Sequence, residues 1–165
     1  MYETFKDAMF MTEAGTIREA TDKDIPNIIA LEKKCFLEEH AYSAKQLTYL
    51  IKEANSCCLV ETYGEIIRGL IIILFKRGTK VAGIETVNVD PAFQNKGIGK
   101  QLIKAAEIEA LNKGMKHIRL EVSVGNTQAI KVYEKSGYVI TGLLKDYYQF
   151  DHFGSKDAYR MKKTF

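Results

Sequence analysis

The chain has 165 residues, 46% of them hydrophobic and 27% charged, which is the size and balance of a soluble globular protein with a substantial core. A net charge of +3 is too small to argue for direct nucleic-acid binding. The longest apolar run, around Ile66 to Phe75, is too short to cross a bilayer and is broken by Arg68, so no membrane association is expected.

Residues 1–15 carry Glu3, Lys6, Asp7 and Glu13 without a continuous hydrophobic stretch and read as an N-terminal extension, not a secretory signal. A short strand is expected at 16–20. Asp22 is placed as a helix N-cap with Pro26 in the first turn, and Ile25, Ile28, Ile29 and Leu31 mark the buried face. After a loop over 36–42, Ser43-Ala44-Lys45-Gln46 has the capping-box pattern, opening a helix lined by Leu47, Leu50 and Ile51. Strands follow at 57–63 and 66–75, joined at Gly64, then at 81–89 after a turn at Gly78. A helix over 97–113 stops at Gly114, residues 117–124 alternate as a strand, and a helix over 127–136 ends at Gly137. Segments 138–143 and 158–162 are expected to pair and close the sheet. The 81–124 portion is a β-α-β unit, which requires a parallel pair. Cys35, Cys57 and Cys58 are odd in number and lack metal or disulfide spacing, so they read as buried thiols of a cytoplasmic protein with no metal site.

The junction inside that unit carries the chemistry. Val89-Asp90-Pro91-Ala92-Phe93-Gln94-Asn95-Lys96-Gly97-Ile98-Gly99-Lys100 is a strand end, a turn and a glycine-rich helix start, where main-chain N–H groups can face an anion. A Walker loop would need glycine at position 94 and Ser or Thr at 101, but both are glutamine. A dinucleotide fingerprint would need a small residue where Leu102 stands. What remains is Gln-x-x-Gly-x-Gly.

That motif resembles the pyrophosphate loop of the GNAT superfamily of acetyl-CoA-dependent N-acetyltransferases. The resemblance extends downstream through Leu120-Glu121-Val122-Ser123-Val124-Gly125-Asn126, Ala129, Tyr133, Gly137 and Tyr138, and upstream through residues 17–24. It implies an α/β (α+β) GNAT fold over residues 16–165: a single mixed, mostly antiparallel sheet of about seven strands with a central splayed parallel pair and about four helices. It also implies acetyl-CoA as cosubstrate. Main-chain groups of Val87, Asn88 and Val89 would bind the pantetheine arm, with Asn126 reaching it from the other side. The loop Gln94, Asn95, Lys96, Gly97, Ile98, Gly99 and Lys100 would bind the pyrophosphate.

For the chemistry, the resemblance makes Tyr133 the proton donor to the leaving thiolate. A phenol with a pKa near ~10 is protonated at neutral pH and suits that task. Glu121, in the Leu-Glu-Val of the RimI-type branch, is the implied general base. Glu85 on the neighbouring strand is the competing base, and the nearby position 83, where relatives carry an acid or histidine, is glycine. Tyr147-Tyr148 resembles the ending of RimI-type and archaeal Ard-type N-terminal acetyltransferases, and Phe36 and Leu37 match the opposite wall of their peptide site. The acceptor so implied is a protein or peptide N-terminus, with association with a ribosome or as a homodimer left open. Residues 149–154 form a longer, more aromatic loop than is common in that branch. A polyamine, antibiotic or lysine acceptor, to which Glu38, Glu39 and Asp151 are suited, and a non-catalytic acyl-CoA-binding module are the alternatives.

Overall fold

The computed structural model describes residues 14–165. Most of the expected N-terminal extension therefore lies outside the described residues. Seven strands form one sheet in the order β1-β2-β3-β4-β5-β7-β6. They are β1 (Thr16–Glu19), β2 (Ser56–Tyr63), β3 (Ile66–Phe75), β4 (Val81–Val89), β5 (His117–Ser123), β6 (Val139–Leu144) and β7 (Ala158–Thr164). All neighbours are antiparallel except β4 and β5. The four α-helices are α1 (Ile25–Cys35), α2 (Ala44–Lys52), α3 (Ile98–Asn112) and α4 (Thr127–Lys135).

Side-chain alternation on the central strands sorts the helices. Cys58 and Val60 of β2 and Leu70 and Ile72 of β3 pack with Ile28, Leu31, Leu47 and Leu50 of α1 and α2. Cys57, Leu59, Ile71 and Ile73 pack on the other face with Leu102, Ile103 and Ala106 of α3 and Ile130 of α4. Both faces of β2 and β3 are thus covered, which explains why β3 reads as a continuous apolar run.

Most boundaries fall within a residue or two of those expected. The first helix start differs. Asp22 does not cap it; residues Asp22–Asp24 form a 3-10 turn, and the Asp24 carboxylate accepts from Thr21 N–H at 2.7 Å and from Arg18 at 2.8 and 2.9 Å. Asp24 is the better-supported acid because it joins the strand and the turn. The capping box at Ser43 and Gln46 is present in both directions.

Arg68, which interrupts the apolar run, lies inside a pair with Glu61. Its Nε donates to Glu61 Oε2 at 2.9 Å and its Nη2 to Oε1, and Glu61 is fully buried. Removing the guanidinium alone strands a buried carboxylate. Arg68→Met should therefore lower unfolding free energy by about 3–5 kcal/mol in urea titrations, and Glu61→Met in the same chain should recover most of it.

Candidate active site

β4 and β5 pair over only three rungs: Val81↔His117, Ala82↔Ile118 and Gly83↔Arg119. Beyond Gly83 they part, although β4 stays bonded to β3 as far as Val89 and β5 to β7 as far as Ser123. The facing main-chain edge of β4 is left without its parallel partner, where an extended ligand can add hydrogen bonds as another strand would. A cleft of about 470 Å³ fills the gap. Residues 84–89 line one wall and residues 120–123 the other, with Ile103, Ala129, Val132 and Tyr133 between them.

One end of the gap lies where β4 runs into α3. Asn95 and Gly97 take left-handed backbone conformations, φ 61° and 81°, and Gly97 is the N-cap of α3. A Cβ on Gly97 would meet nothing within 4 Å, so it is the backbone angle that calls for glycine there. The first helical bond runs from Gln101 N–H to Gly97 O at 3.0 Å, leaving the amides of Ile98, Gly99 and Lys100 at the exposed positive end of a fifteen-residue helix. The Ile98 side chain is buried in the core, so only its main chain is available. Lys100 is exposed, and Lys96 Nζ lies 5.6 Å from the centre of the Phe93 ring. Asp90 braces the loop. Its carboxylate accepts from Lys34 Nζ at 2.8 Å and Ala92 N–H at 2.9 Å, and the lysine holds its pKa below the usual range. Gln94 Nε2 donates to Val89 O at 3.2 Å and Cys35 Sγ to the same oxygen at 3.4 Å. Gln128 Nε2 reaches Asn95 Oδ1 at 3.1 Å, linking the loop to α4.

Tyr133 sits on α4, edge-on to Tyr138 at 5.8 Å. Burial, and next Tyr148, push its phenol up to about 12, so it keeps its proton across the physiological range. Asn126 caps α4, its Oδ1 accepting from Ala129 N–H at 3.2 Å, and also lines the cleft. Glu85 and Glu121 lie two residues beyond the last rung, Gly83↔Arg119, and Glu85 is the extra residue of a bulge, since Ile84 pairs with Ile73 and Thr86 with Ile72. Both glutamates line the cleft. The candidate bases are thus two sides of one mouth. Glu121 Oε1 accepts from Arg160 Nε at 3.0 Å and Arg119 Nη1 at 3.1 Å. Glu85 accepts the Tyr42 hydroxyl proton through Oε1.

At the other end, Phe36 and Tyr148 line the cleft, whereas Leu37, 69% exposed, and Tyr147, 49% exposed, are not part of its lining. Tyr147 stacks edge-on to Tyr148 at 5.0 Å, and its pKa is raised by burial and then by Glu121 and Glu85. Glu32, His40, Tyr42, His152 and Phe153 also line the cleft and carry no motif in the sequence. The loop 149–154 folds back onto β5: Ser123 Oγ donates to His152 O at 2.5 Å, and a Cβ on Gly125 would lie 1.9 Å from Phe153 O. His152 is the hub of this wall, with ring centres of His40, Phe153 and Tyr148 at 4.4, 4.7 and 4.9 Å. Cys57 and Cys58 are buried in early β2, where desolvation lifts their thiols to about 11 and 12, so neither supplies a thiolate.

A mixed sheet opens between two parallel strands, with a helix start at one end of the gap and titratable side chains at the other, an arrangement that can take an extended anionic ligand. The chain belongs to the acetyltransferase (GNAT) family, whose model matches residues 25–138. Among curated proteins it is similar to human N-alpha-acetyltransferase 30, 28% identical over 153 residues. That alignment takes in 88% of this chain but only 40% of the relative, so the chain spans well under half the length of that protein. Among solved structures it is similar to Ard1 from Thermoplasma volcanium, with TM-score 0.80, 31% identity and coverage of 92% of this chain and 97% of the other. The ribosomal-protein-S18-alanine N-acetyltransferase from Escherichia coli shares the fold, with TM-score 0.81, 23% identity and coverage of 91% and 93%.

Desolvation, and next His40, hold the His152 pKa below the ordinary histidine value. A group whose folded pKa is depressed contributes its stability above the unfolded pKa of about 6.5 and loses it as pH falls through and below that value. Unfolding free energy measured from pH 8 to pH 5 should decline more steeply in the unmodified chain than in His152→Phe.

Proposed function

We propose that the chain transfers acetyl from acetyl-CoA to the α-amine of protein or peptide N-termini. The observation that carries this reading is the parted β4–β5 pair, with Tyr133 on one side of the gap and Glu85 and Glu121 together at its mouth. The family, and the N-terminal acetyltransferases among its similar proteins, support it.

The residues fit the carrier. The amides of residues 95–100 take the pyrophosphate, with Lys96 and Lys100 adding charge, while Gln94 holds the loop against β4. The open edge at Val87, Asn88 and Val89 takes the pantetheine amides, opposite Asn126. Acetyl-CoA supplies the activated acyl group as a thioester. Glu121, through Oε2, accepts the proton the amine must lose, directly or by way of water, and Glu85 helps to hold the incoming ammonium. As the new N–C bond forms and the C–S bond breaks, Tyr133 donates its proton to the sulfur. Phe36, Tyr147 and Tyr148 receive the first residues of the peptide.

An α-amine with a pKa near ~8 is partly neutral at cellular pH, whereas lysine near ~10.4 needs a stronger base than a partly exposed carboxylate. The sequence similarity to the ribosomal protein bS18-alanine N-acetyltransferase of Salmonella typhimurium makes a peptide beginning with alanine the first acceptor to test. CoA release should occur with free N-terminal peptides and not with an N-blocked lysine peptide or spermidine; turnover confined to either of the latter would replace the acceptor assignment. Tyr133→Phe should lower kcat by about a hundredfold with little change in acetyl-CoA affinity, and Glu121→Gln should lower kcat by a similar factor. A larger loss in Glu85→Gln than in Glu121→Gln would move the base to β4.

A further inference from the structure

Glu32 lines the cleft from α1 yet is only 1% exposed, and none of the ion pairs among the described residues includes it. A buried carboxylate without a counter-ion is unfavourable, and burial raises the Glu32 pKa. Its two oxygens have separate partners. Oε1 accepts from the main-chain N–H of Tyr42 at 2.9 Å, and Oε2 from Asn88 Nδ2 at 2.5 Å. Asn88, itself 1% exposed, accepts in turn from Thr86 Oγ1 at 2.8 Å. Only one of the two terminal atoms of a glutamine is an acceptor, so one of these two donors would face an N–H group instead. A carboxylate is the side chain of that length that can accept from both.

Both partners belong to the cleft. Asn88 stands between Val87 and Val89 on the open stretch of β4. Tyr42 belongs to the segment between α1 and α2, and its hydroxyl donates to Glu85. Burial, and next the bond to Glu85, raise the Tyr42 pKa, so the phenol remains a donor. One side chain on α1 therefore fixes the main chain of Tyr42 and the side chain of Asn88, and Tyr42 restrains Glu85 from the far side of the mouth.

We propose that Glu32 is a positioning residue for the acceptor amine: it sets Tyr42, and through Tyr42 it orients Glu85 toward the parted strands. This rests on reading the cleft as an acetyl-transfer site. If Glu32 only tethered the segment between α1 and α2, its loss would appear as reduced stability and weaker acetyl-CoA binding, and would be independent of the Tyr42 hydroxyl.

Steady-state kinetics of Glu32→Gln, Tyr42→Phe and the double variant separate these cases. Each single change should lower acceptor kcat/KM by about tenfold, the size expected for a hydrogen bond to a charged group, with the acetyl-CoA KM within about twofold of the unmodified chain. The double variant should be no worse than the poorer single one by more than about twofold, because both changes break one chain of contacts. Glu32→Asp, which keeps both acceptor oxygens, should recover part of the loss. Multiplicative losses, an unchanged Glu32→Gln, or a parallel rise in acetyl-CoA KM and fall in Tm would each overturn the proposal. If Glu32→Gln does not fold, Glu32→Asp takes its place in the cycle with Tyr42→Phe, and additive losses again overturn it. If the unmodified chain turns over some other amine and no peptide, the acceptor assignment fails and the same cycle is read on that amine.

Discussion

The parallel contact between β4 and β5 is where this molecule departs from a closed sheet. Three rungs hold the strands together, and past Gly83 each is secured only from its outer side, β4 by β3 and β5 by β7. An unpartnered main-chain edge inside a protein must find donors and acceptors elsewhere. Behind β4 the edge is backed by β3, which is buried on both faces, and behind β5 by β7, which is buried mainly at Ala158 and Met161. The cleft, the start of α3 at one end and the paired carboxylates at the other all follow from where the rungs stop.

Around that opening one end is built on a rigid element and the other on loops. The free amides at the start of α3 stand at the head of a fifteen-residue helix braced through Asp90 and Lys34. The other end is built from the segment between α1 and α2 and the loop between β6 and β7, which meet through aromatic contacts centred on His152. Loops tolerate sequence change better than the elements they connect, so the second end is the more variable of the two.

Much of this was legible in the sequence. Apolar alternation and the glycine and capping signals located the strands and helices, and 66–75 and 81–89 coincide with β3 and β4. The β-α-β pattern required the parallel pair, but the point at which the strands part was known only from the family resemblance, because separation leaves no mark in local periodicity. The first cap was misplaced because Thr21, Asp22 and Asp24 are all capping residues, and the choice among them depends on Arg18 across the turn. Leu37 and Tyr147 are not among the residues lining the cleft, although they adjoin Phe36 and Tyr148, since neighbouring residues in a loop need not share a direction. Tyr42 with Glu85 and Glu32 with Asn88 were out of reach: they meet across 43 and 56 residues, and contacts that distant have no spacing rule. The aromatic character of 149–154 was visible, but its return onto Ser123 was not.

Asn126 has two duties that cannot be separated. Its side chain caps α4, and the same residue borders the cleft. A nine-residue helix is too short to persist by its own hydrogen bonds, so α4 depends on its cap and on the packing of Ile130. Tyr133 lies near the far end of that helix. A group filling the gap beside Asn126 would therefore also steady the helix that carries the Tyr133 phenol, so occupancy of the groove and order in α4 are thermodynamically linked.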